Sequence, residues 1–316
     1  MRILLVKTSS LGDVIHNLPV ASDLRRAFPE AVIDWCVEEG LVAIPRLHPA
    51  VAQVLPVAIR RWRRHLSRPS TWREVSAFCR RLRAQTYDAV LDTQGLLKSA
   101  AIARLARGRH YGYAAEAARE PLAARFYDAT FVIPRNVHAV TRNRWLSAAA
   151  FDYPVDLPLD YGMQPPRVEG RPQTKDRVAL LTATSRHDKL WPEDHWCALA
   201  RALVARGLTP VLPSGSVVER QRAERIAAAA QGAVLPPALS LVEMASLLAG
   251  CRLAIGVDTG LSHLAAALKV PVIALYVSTE PALTGVFGSG FVRNLGRSGA
   301  PPALTEVLTV AEHALR

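Results

Sequence analysis

Hydrophobic and polar positions alternate between two patterns along the whole chain. Short runs rich in β-branched residues predict strands, and longer stretches with apolar positions every three or four residues predict helices between them. This alternation is typical of parallel sheets built from βα units. In the first half the predicted strands are residues 2–7, 31–36, 54–58, 87–93 and 109–113, and the predicted helices are 13–28, 70–85, 96–107 and 138–151.

The pattern is interrupted between residues 153 and 173, where five prolines and two glycines occur without periodicity. Such a composition predicts a linker between domains. The alternation then restarts with predicted strands at 177–184, 208–213, 253–257 and 270–276 and helices at 192–206, after Ser240 and at 262–268. We therefore expect an α/β protein with domains at 1–155 and 177–316, joined by a linker at 156–176. The last helix is a candidate for packing back on the first domain.

Composition narrows the class of protein. The chain has 316 residues, half of them apolar, which suits two packed domains. Its four cysteines are scattered, which predicts neither a disulfide framework nor a zinc site. With no apolar run of membrane-spanning length and no signal peptide, we expect a soluble, cytoplasmic protein. The net charge of +12 favours an anionic partner, which could be a nucleic acid, an acidic membrane surface or a phosphorylated substrate.

The first candidate for chemistry follows the first predicted strand, in the sequence from Lys7 to Pro19. Its turn holds two serines, one glycine and Asp13, where a phosphate-binding turn usually has several glycines. A carboxylate in the first turn of a helix is stabilised by the helix dipole and can be purely structural. It can equally serve as a general base that accepts a proton from a hydroxyl nucleophile.

Two loops of the second half suit phosphate binding. The loop from Thr182 to Lys189 places hydroxyls and a lysine between a strand and a proline-led helix. The other loop follows a strand with Asp258, Thr259 and Gly260 and leads into a helix that carries His263. These two loops are the candidates for a phosphate and sugar site, although a solvated loop and a helix N-cap with a packed histidine are the structural alternatives.

Basic side chains concentrate in the first half. Arginines surround Trp62 in the segment 58–65, and further polar and basic residues follow other predicted strands. Arginine binds carboxylates and phosphates with two hydrogen bonds, so this side of the protein is expected to bind a strongly anionic ligand. The residues concerned are Arg60, Arg61, Arg63, Gln94, Lys98 and Arg119. Aromatic residues make up only 6% and no nucleic-acid motif appears, so no nucleic-acid partner is expected, although a nucleic-acid site stays open as an alternative.

Together these stretches resemble the bacterial lipopolysaccharide heptosyltransferases over nearly the whole chain. The resemblance lies in the Lys7–Pro19 stretch, the runs AIRRWR, DTQGLLKSA, AREPLA and VDTGLSHLAAAL, and the KLWP loop. The opening stretch and the IRRWR run favour the type I enzymes over type II. The resemblance implies a GT-B fold, which is two Rossmann-like domains with parallel sheets facing each other across a cleft.

The resemblance also implies roles for individual residues. Asp13 matches the proposed catalytic base, and Lys189 is expected to act on the leaving diphosphate. The positions that match the donor site are Thr184, Ser185, Lys189, Glu219, Leu239, Asp258, Thr259, Gly260 and His263. The positions expected at the acceptor are Ser9, Ser10, Arg60, Arg61, Arg63, Gln94, Lys98 and Arg119. Ser185 stands where relatives often have threonine, and Leu239 where some have methionine.

The implied activity is inverting transfer of heptose from ADP-L-glycero-β-D-manno-heptose to a Kdo residue of Kdo2-lipid A, with no cofactor and no metal. We expect a monomer at the cytoplasmic face of the inner membrane, held on its anionic surface. Heptosyltransferase II or another GT-B sugar-nucleotide transferase is the alternative within enzymes. A non-catalytic nucleotide-binding or nucleic-acid-binding protein is the alternative from another class.

Overall fold

The computed structural model describes residues 1–165, 176–184 and 186–316. The chain forms two compact units, Met1–Met163 and Gln164–Arg316. Each unit is built on its own parallel sheet with helices between the strands. The α/β class and the two-domain organisation expected from the sequence are therefore confirmed.

The first unit contains a six-stranded sheet in the order β3-β2-β1-β4-β5-β6. Its strands are β1 (Arg2–Val6), β2 (Val32–Glu38), β3 (Val51–Val57), β4 (Thr86–Asp92), β5 (Arg107–Tyr113) and β6 (Ala129–Phe131). Its helices are α1 (Leu11–Ile15), α2 (Leu18–Ala27), α3 (Ala43–Arg46), α4 (Ile59–Trp62), α5 (Pro69–Arg83), α6 (Leu97–Leu105) and α7 (Ala139–Phe151). Short 3₁₀ turns cover Glu39–Leu41 and Pro121–Phe126. This strand order is that of the Rossmann fold.

The second unit contains a five-stranded sheet in the order β11-β10-β9-β7-β8. Its strands are β7 (Arg177–Leu181), β8 (Thr209–Val211), β9 (Leu253–Val257), β10 (Val272–Tyr276) and β11 (Val292–Gly296). Its helices are α8 (Glu193–Val204), α9 (Val217–Ala228), α10 (Leu241–Ala249), α11 (Gly260–Ala267), α12 (Pro281–Thr284) and α13 (Leu304–Ala314), with a 3₁₀ turn at His187–Lys189. Val234 pairs in parallel with Val211, so a single residue occupies the outer position beyond β8. With that residue counted, the second sheet repeats the order of the first.

The central strands are apolar along nearly their whole length because helices cover both faces of each sheet. Ile3 to Val6 of β1 and all five residues of β9 are buried. Two tryptophans, Trp191 and Trp196, are fully buried in the core of the second unit. The last helix, α13, places Val307 and Ala311 in the same core. None of the helices in the described ranges has the length and apolar character needed to cross a bilayer.

The helix predicted over 13–28 is two helices, and this prediction was wrong. α1 ends at Ile15 and α2 begins at Leu18, with Asn17 as its N-cap. Pro19 lies in the first turn of α2, where its missing N–H costs nothing. In a continuous helix the same proline would remove the hydrogen bond to the carbonyl of Ile15 and collide with it. The break therefore follows from the proline.

The boundary between the units lies later than the predicted start of the linker. Residues 156–163 belong to the first unit, where the Arg144 guanidinium donates to the carbonyl of Leu157. Gly162 has a φ of +62° and lies against the ring of His48, where a Cβ would come within 2.2 Å of Nε2. Within the predicted linker, residues 166–175 lie outside the described residues.

Candidate functional site

Each sheet reverses its strand order once, between β1 and β4 in the first unit and between β7 and β9 in the second. In open α/β sheets, ligands bind beyond the carboxyl ends of the strands at this point. The loops that leave these four strands carry Asp13, Gln94, Lys189 and Asp258, in that order. The topology therefore groups the predicted residues into one candidate site in each unit.

Asp13 is held by the turn that begins α1. Its Oδ2 accepts hydrogen bonds from the backbone N–H of Ser10 at 2.9 Å and from the Ser10 hydroxyl at 2.8 Å. These bonds form a capping box, so the structural role weighed in the sequence is real. Both bonds end on Oδ2, and among the described residues no hydrogen bond reaches Oδ1. One carboxylate oxygen fixes the side chain, and the other remains available for a ligand.

Gln94 joins the loops that follow β1 and β4. Its Oε1 accepts from both the N–H and the hydroxyl of Thr8 at 2.8 Å, and its Nε2 donates to the carbonyl of Ser9 at 3.2 Å. The Lys98 ammonium donates to the Ser9 hydroxyl at 3.1 Å. Gly95 follows with a φ of +65°, a conformation that favours glycine. The two loops are therefore one connected structure with a cation at its edge.

A cavity of about 660 Å³ opens beside this structure. Seven predicted residues line it, which are Ser9, Ser10, Asp13, Arg63, Gln94, Lys98 and Arg119. Leu96, Leu97 and Glu120 complete the lining. The carboxylate that can act as a base thus shares the cavity with three cationic side chains. A hydroxylated ligand that carries negative charge suits this combination.

Lys7 directly follows β1 and is only 6% exposed. Its ammonium donates to the carbonyl of Thr93 at 2.7 Å and to Oδ1 of Asn143 at 3.3 Å. Burial lowers the pKa of Lys7 from 10.5 to about 8, although the carboxylates of Asp13 and Asp92 act in the opposite direction. A buried cation therefore lies close to the candidate base.

Arg60 and Arg61 do not line the cavity. The guanidinium of Arg61 pairs with Glu39 at 3.0 Å and with Glu74 at 2.8 Å, which satisfies its charge on the surface of the first unit. The backbone N–H of Arg60 donates to the carboxylate of Glu38, and its side chain is exposed. The structure thus separates these two arginines from the other predicted acceptor residues.

In the second unit, Asp258 organises the candidate site. Its Oδ2 accepts from the Lys189 ammonium at 2.6 Å and from the Thr279 hydroxyl at 2.8 Å. Its backbone carbonyl accepts from the Thr184 hydroxyl at 3.1 Å. The ion pair is largely buried, with Lys189 and Asp258 exposed by 17% and 16%. Three loops, after β7, β9 and β10, therefore meet at one carboxylate.

Trp191 fixes the loop that carries Lys189. Its indole is fully buried, donates from Nε1 to the carbonyl of Pro302 at 3.0 Å, and packs edge-on against Trp196 with ring centroids 5.1 Å apart. Because only one residue separates Trp191 from Lys189, the backbone that carries the lysine is held in place. Ser185, in the same loop, lies outside the described residues.

The first turn of α11 supplies backbone donors next to Asp258. Thr259 is its N-cap and Gly260 its first residue, and the first N–H groups of a helix have no partner within that helix. His263 lies one turn further along and is 6% exposed. Ser262 anchors this turn by donating to the carbonyl of Val257 at 2.8 Å. An anion beside Asp258 would meet both Lys189 and the positive end of this helix.

Glu219 follows β8, and Leu239 follows Val234, the single residue that pairs beyond β8. Glu219 lies in the first turn of α9, where its Oε2 accepts from the N–H of Gly215 at 2.7 Å. Leu239 is half-buried just before α10. Neither residue contacts Asp258 in the described structure, yet both lie at the carboxyl edge that carries it.

Two residues that contact the predicted groups, Thr279 and Asp92, were not predicted, nor was Lys7, a buried cation near Asp13. Thr279 bonds Asp258 directly, and its signal was available because it follows a buried strand, β10, as the other candidates do. Asp92 ends β4, Lys7 directly follows β1, and both are buried. Burial raises the pKa of Asp92, and the Tyr127 hydroxyl donates to its Oδ2 at 2.8 Å. Across the described ranges no three His, Cys, Asp or Glu side chains are grouped so that they could hold a metal ion.

Comparison with known sequences identifies the family. Residues 75–304 match the model of glycosyltransferase family 9 (heptosyltransferase). A lipopolysaccharide heptosyltransferase 1 of Pseudomonas aeruginosa is 45% identical over 314 residues, which cover 98% of this chain and 88% of that protein. The protein of the same name from Escherichia coli K12 is 44% identical over 291 residues, or 91% of each chain. The expected resemblance is thus confirmed.

Comparison with solved structures supports the same family. The E. coli heptosyltransferase WaaC with ADP matches with a TM-score of 0.92 and 41% identity, covering 99% of this chain and 100% of the other. WaaC with ADP-2-deoxy-2-fluoro heptose matches with a TM-score of 0.90 and 39% identity, covering 99% of each chain. E. coli heptosyltransferase II, at 22% identity and a TM-score of 0.79 over 100% of this chain and 98% of that one, shows the shared GT-B fold. The chain belongs to glycosyltransferase family 9, the heptosyltransferases.

Proposed function

We propose that the chain is a lipopolysaccharide heptosyltransferase of type I. It transfers heptose from ADP-L-glycero-β-D-manno-heptose to a Kdo residue of Kdo2-lipid A, with inversion at the anomeric carbon and without a metal ion. The names of the relatives at 44–45% identity support the activity and the type. The ligands of the matching WaaC structures, ADP and a fluorinated ADP-heptose, support the donor.

The observation that carries the proposal is the cavity that Asp13 shares with three cations. Kdo is an acidic sugar, so its carboxylate suits Arg63, Lys98 and Arg119, while one of its hydroxyls reaches Asp13. Oδ1 of Asp13 removes the hydroxyl proton as the oxygen attacks the anomeric carbon of heptose. The bond from that carbon to the diphosphate oxygen breaks, its electron pair leaves with ADP, and attack opposite the leaving group inverts the centre.

The donor site meets the charge that develops on the leaving diphosphate. Lys189 supplies a cation, Thr184 and Thr259 supply hydroxyls, and the first turn of α11 supplies backbone N–H groups. Donors that are already in place when charge develops stabilise the transition state. We assign Glu219 and Leu239 to the nucleoside end, where a carboxylate accepts from ribose hydroxyls and an apolar side chain packs on the base.

The remaining parts of the proposal concern the surroundings of the enzyme. A monomer held on the cytoplasmic face of the inner membrane suits a lipid-linked acceptor, and the net charge of +12 supports contact with anionic lipid. Retained turnover after treatment with EDTA would support metal independence. A product of inverted anomeric configuration would support the inverting mechanism. Loss of activity on chelation that added magnesium restores would contradict metal independence.

The acceptor assignment is tested by coupled measurement of ADP release. The protein is supplied with ADP-heptose and either Kdo2-lipid A or the acceptor that already carries one heptose. We expect turnover on Kdo2-lipid A. Turnover on the heptosylated acceptor alone would show a type II enzyme and contradict the proposal.

The role of Asp13 must be separated from its capping role. Asp13→Asn keeps an oxygen that can accept from Ser10 but cannot act as a base, so we expect transfer to fall by about 10²–10⁴ with ADP binding nearly unchanged. Ser10→Ala disturbs the cap and keeps the base. The matched control Ser240→Ala disturbs a second capping box, with Glu243, in the other unit. A fall in kcat of Ser10→Ala as large as that of Asp13→Asn would show that the cap, and not the base, matters, whereas a change confined to KM would reflect Ser10 in the cavity that takes the acceptor.

A further inference from the structure

A second cationic region of the first unit lies outside the cavity. Residues 60–73 contain six arginines and no acid. Arg61 is neutralised by Glu39 and Glu74, whereas no other arginine of this segment forms an ion pair within the described residues. Arg64, Arg68 and Arg73 are exposed and line no part of the cavity. Their charges are therefore not used by the candidate site.

Large apolar side chains are exposed among these arginines. Leu66 is 55% exposed and Trp72 58% exposed. The Trp72 indole donates from Nε1 to the carbonyl of Leu66 at 2.8 Å, which joins the two residues. We call Arg64, Leu66, Arg68, Trp72 and Arg73 the basic-aromatic surface. Exposed tryptophan and leucine in water are unfavourable, so their position among unpaired arginines indicates a partner that is both anionic and apolar.

The basic-aromatic surface is part of the folded unit and not a loose loop. The Thr71 hydroxyl donates to the carbonyl of His65 at 2.7 Å, which closes the turn before α5. Trp62 packs on Phe78 with ring centroids 5.8 Å apart, and Phe78 lies in the core of the unit. The exposed side chains are thus presented on an anchored turn. Arg63, immediately before this surface, lines the cavity, so the two features are adjacent.

We propose that the basic-aromatic surface docks the enzyme on an anionic bilayer, beside the cavity that takes the sugar of the lipid-linked acceptor. The proposal rests on the proposed function, because a lipid-linked acceptor brings the cavity close to a bilayer. Arginines pair with lipid phosphates, and tryptophan favours the interface between headgroups and acyl chains. A nucleic acid would also attract the arginines, but it offers Leu66 no apolar environment.

Vesicle sedimentation tests the proposal without any acceptor. Wild type is compared with Arg64→Gln/Arg68→Gln/Arg73→Gln on vesicles of phosphatidylcholine that contain about a third phosphatidylglycerol. Removal of one to two arginines weakens vesicle binding about tenfold, so the triple variant should bind about a hundredfold more weakly. The matched control removes three exposed arginines of the second unit, Arg201→Gln/Arg293→Gln/Arg297→Gln. Equal losses in the two triple variants, or no loss in either, would overturn the proposal.

Trp72→Ala tests the apolar half of the surface. Salt screens the arginines but not partition of the indole, so the defect of Trp72→Ala should persist at high ionic strength while that of the triple variant shrinks. A wild-type level of vesicle binding by Trp72→Ala would overturn the role of the apolar residues. Binding of a single-stranded oligonucleotide more tightly than vesicles, lost in the triple variant, would assign the surface to nucleic acid and overturn the proposal.

Activity separates this proposal from the proposed function. On a deacylated, water-soluble Kdo acceptor the triple variant should turn over as fast as wild type, and on the acceptor embedded in vesicles it should be slow. If wild type fails on both acceptors, the proposed function fails while the vesicle result stands by itself. If the triple variant is equally fast on both acceptors, docking through this surface is overturned.

Discussion

Lys7 offers the sharpest test of the electrostatics near Asp13. Its ammonium is buried and has two hydrogen-bond acceptors among the described residues, Thr93 O and Asn143 Oδ1, and burial lowers its pKa from 10.5 to about 8. The folded protein therefore holds this proton less tightly than the unfolded chain. Below pH 8 both states are protonated, and the folded state carries the full cost of burying the charge. That cost is about 3 kcal/mol, since a tenfold change in proton affinity corresponds to about 1.4 kcal/mol.

The sign of the pH dependence follows directly. Between pH 8 and 10.5 the unfolded chain binds more protons than the folded protein, so the free energy of unfolding rises with pH in this window. Lys7→Met is similar in length and carries no charge, so it lacks this dependence. Its own loss, from leaving Thr93 and Asn143 without a donor, is about 1–3 kcal/mol and does not vary with pH.

Equilibrium urea unfolding of wild type and Lys7→Met at a series of pH values measures the difference. Trp35 donates from its indole to the carbonyl of Lys7 at 3.2 Å, so tryptophan emission reports on this region. Titrations common to both proteins cancel, and wild type should gain about 3 kcal/mol relative to the variant from pH 8 to 10.5. Lys269→Met, which removes an exposed lysine, is the control. A flat or falling difference for Lys7→Met would refute the argument.

Three further outcomes are expected. His48 is buried with a pKa lowered to about 4, so on acidification the unfolded chain binds the proton before the folded protein does. The free energy of unfolding should therefore fall by about 3 kcal/mol from pH 6.5 to 4, and by less in His48→Gln, as measured by urea unfolding at each pH. Gly256→Ala would place a Cβ 2.5 Å from Ser262 Oγ, which should lower the free energy of unfolding by about 1–3 kcal/mol. Calorimetry should show this loss as a lower Tm, and a second substitution, Ser262→Ala, should partly restore the Tm. Thr279→Val removes a donor to Asp258 and should weaken ADP binding about fivefold by titration calorimetry. Unchanged affinity there would show that Thr279 does not order the site.

The sequence predicted the central strands well because most of their residues are apolar and buried. β1, β4 and β9 each begin within two residues of the predicted start. Elements with weaker patterns were missed. The edge strands β6 and β11 lie at the outside of their sheets, where only one side of the strand is paired and fewer apolar residues are needed. α9 buries only Ala223 and Ile226 and carries six charged or polar residues, so it lacked a clear apolar stripe.

The sequence predicted which loops carry the site residues, but it did not predict the hydrogen bonds and ion pairs that connect those residues. Polar residues after buried strands indicated Asp13, Gln94, Lys189 and Asp258, because parallel strands all end at one edge of the sheet. Their partners depend on contacts between distant residues, such as the pair of Lys189 and Asp258, which are 69 positions apart. The pairing of Arg61 with two glutamates was equally hidden. Such contacts depend on packing, which periodicity does not report.

The pair of Lys189 and Asp258 has a consequence for selectivity among anions. In this structure the Lys189 ammonium has the Asp258 carboxylate as its counter-ion at 2.6 Å, so the net charge of the pair is close to zero. A small monovalent anion that replaced the carboxylate would exchange one negative charge for another and gain little. A diphosphate brings more charge and more oxygens, so it can bond the ammonium together with the helix N-terminus while Asp258 turns to a hydroxyl. The salt bridge between Lys189 and Asp258 thus favours binding of a diphosphate over binding of the small anions of ordinary salts.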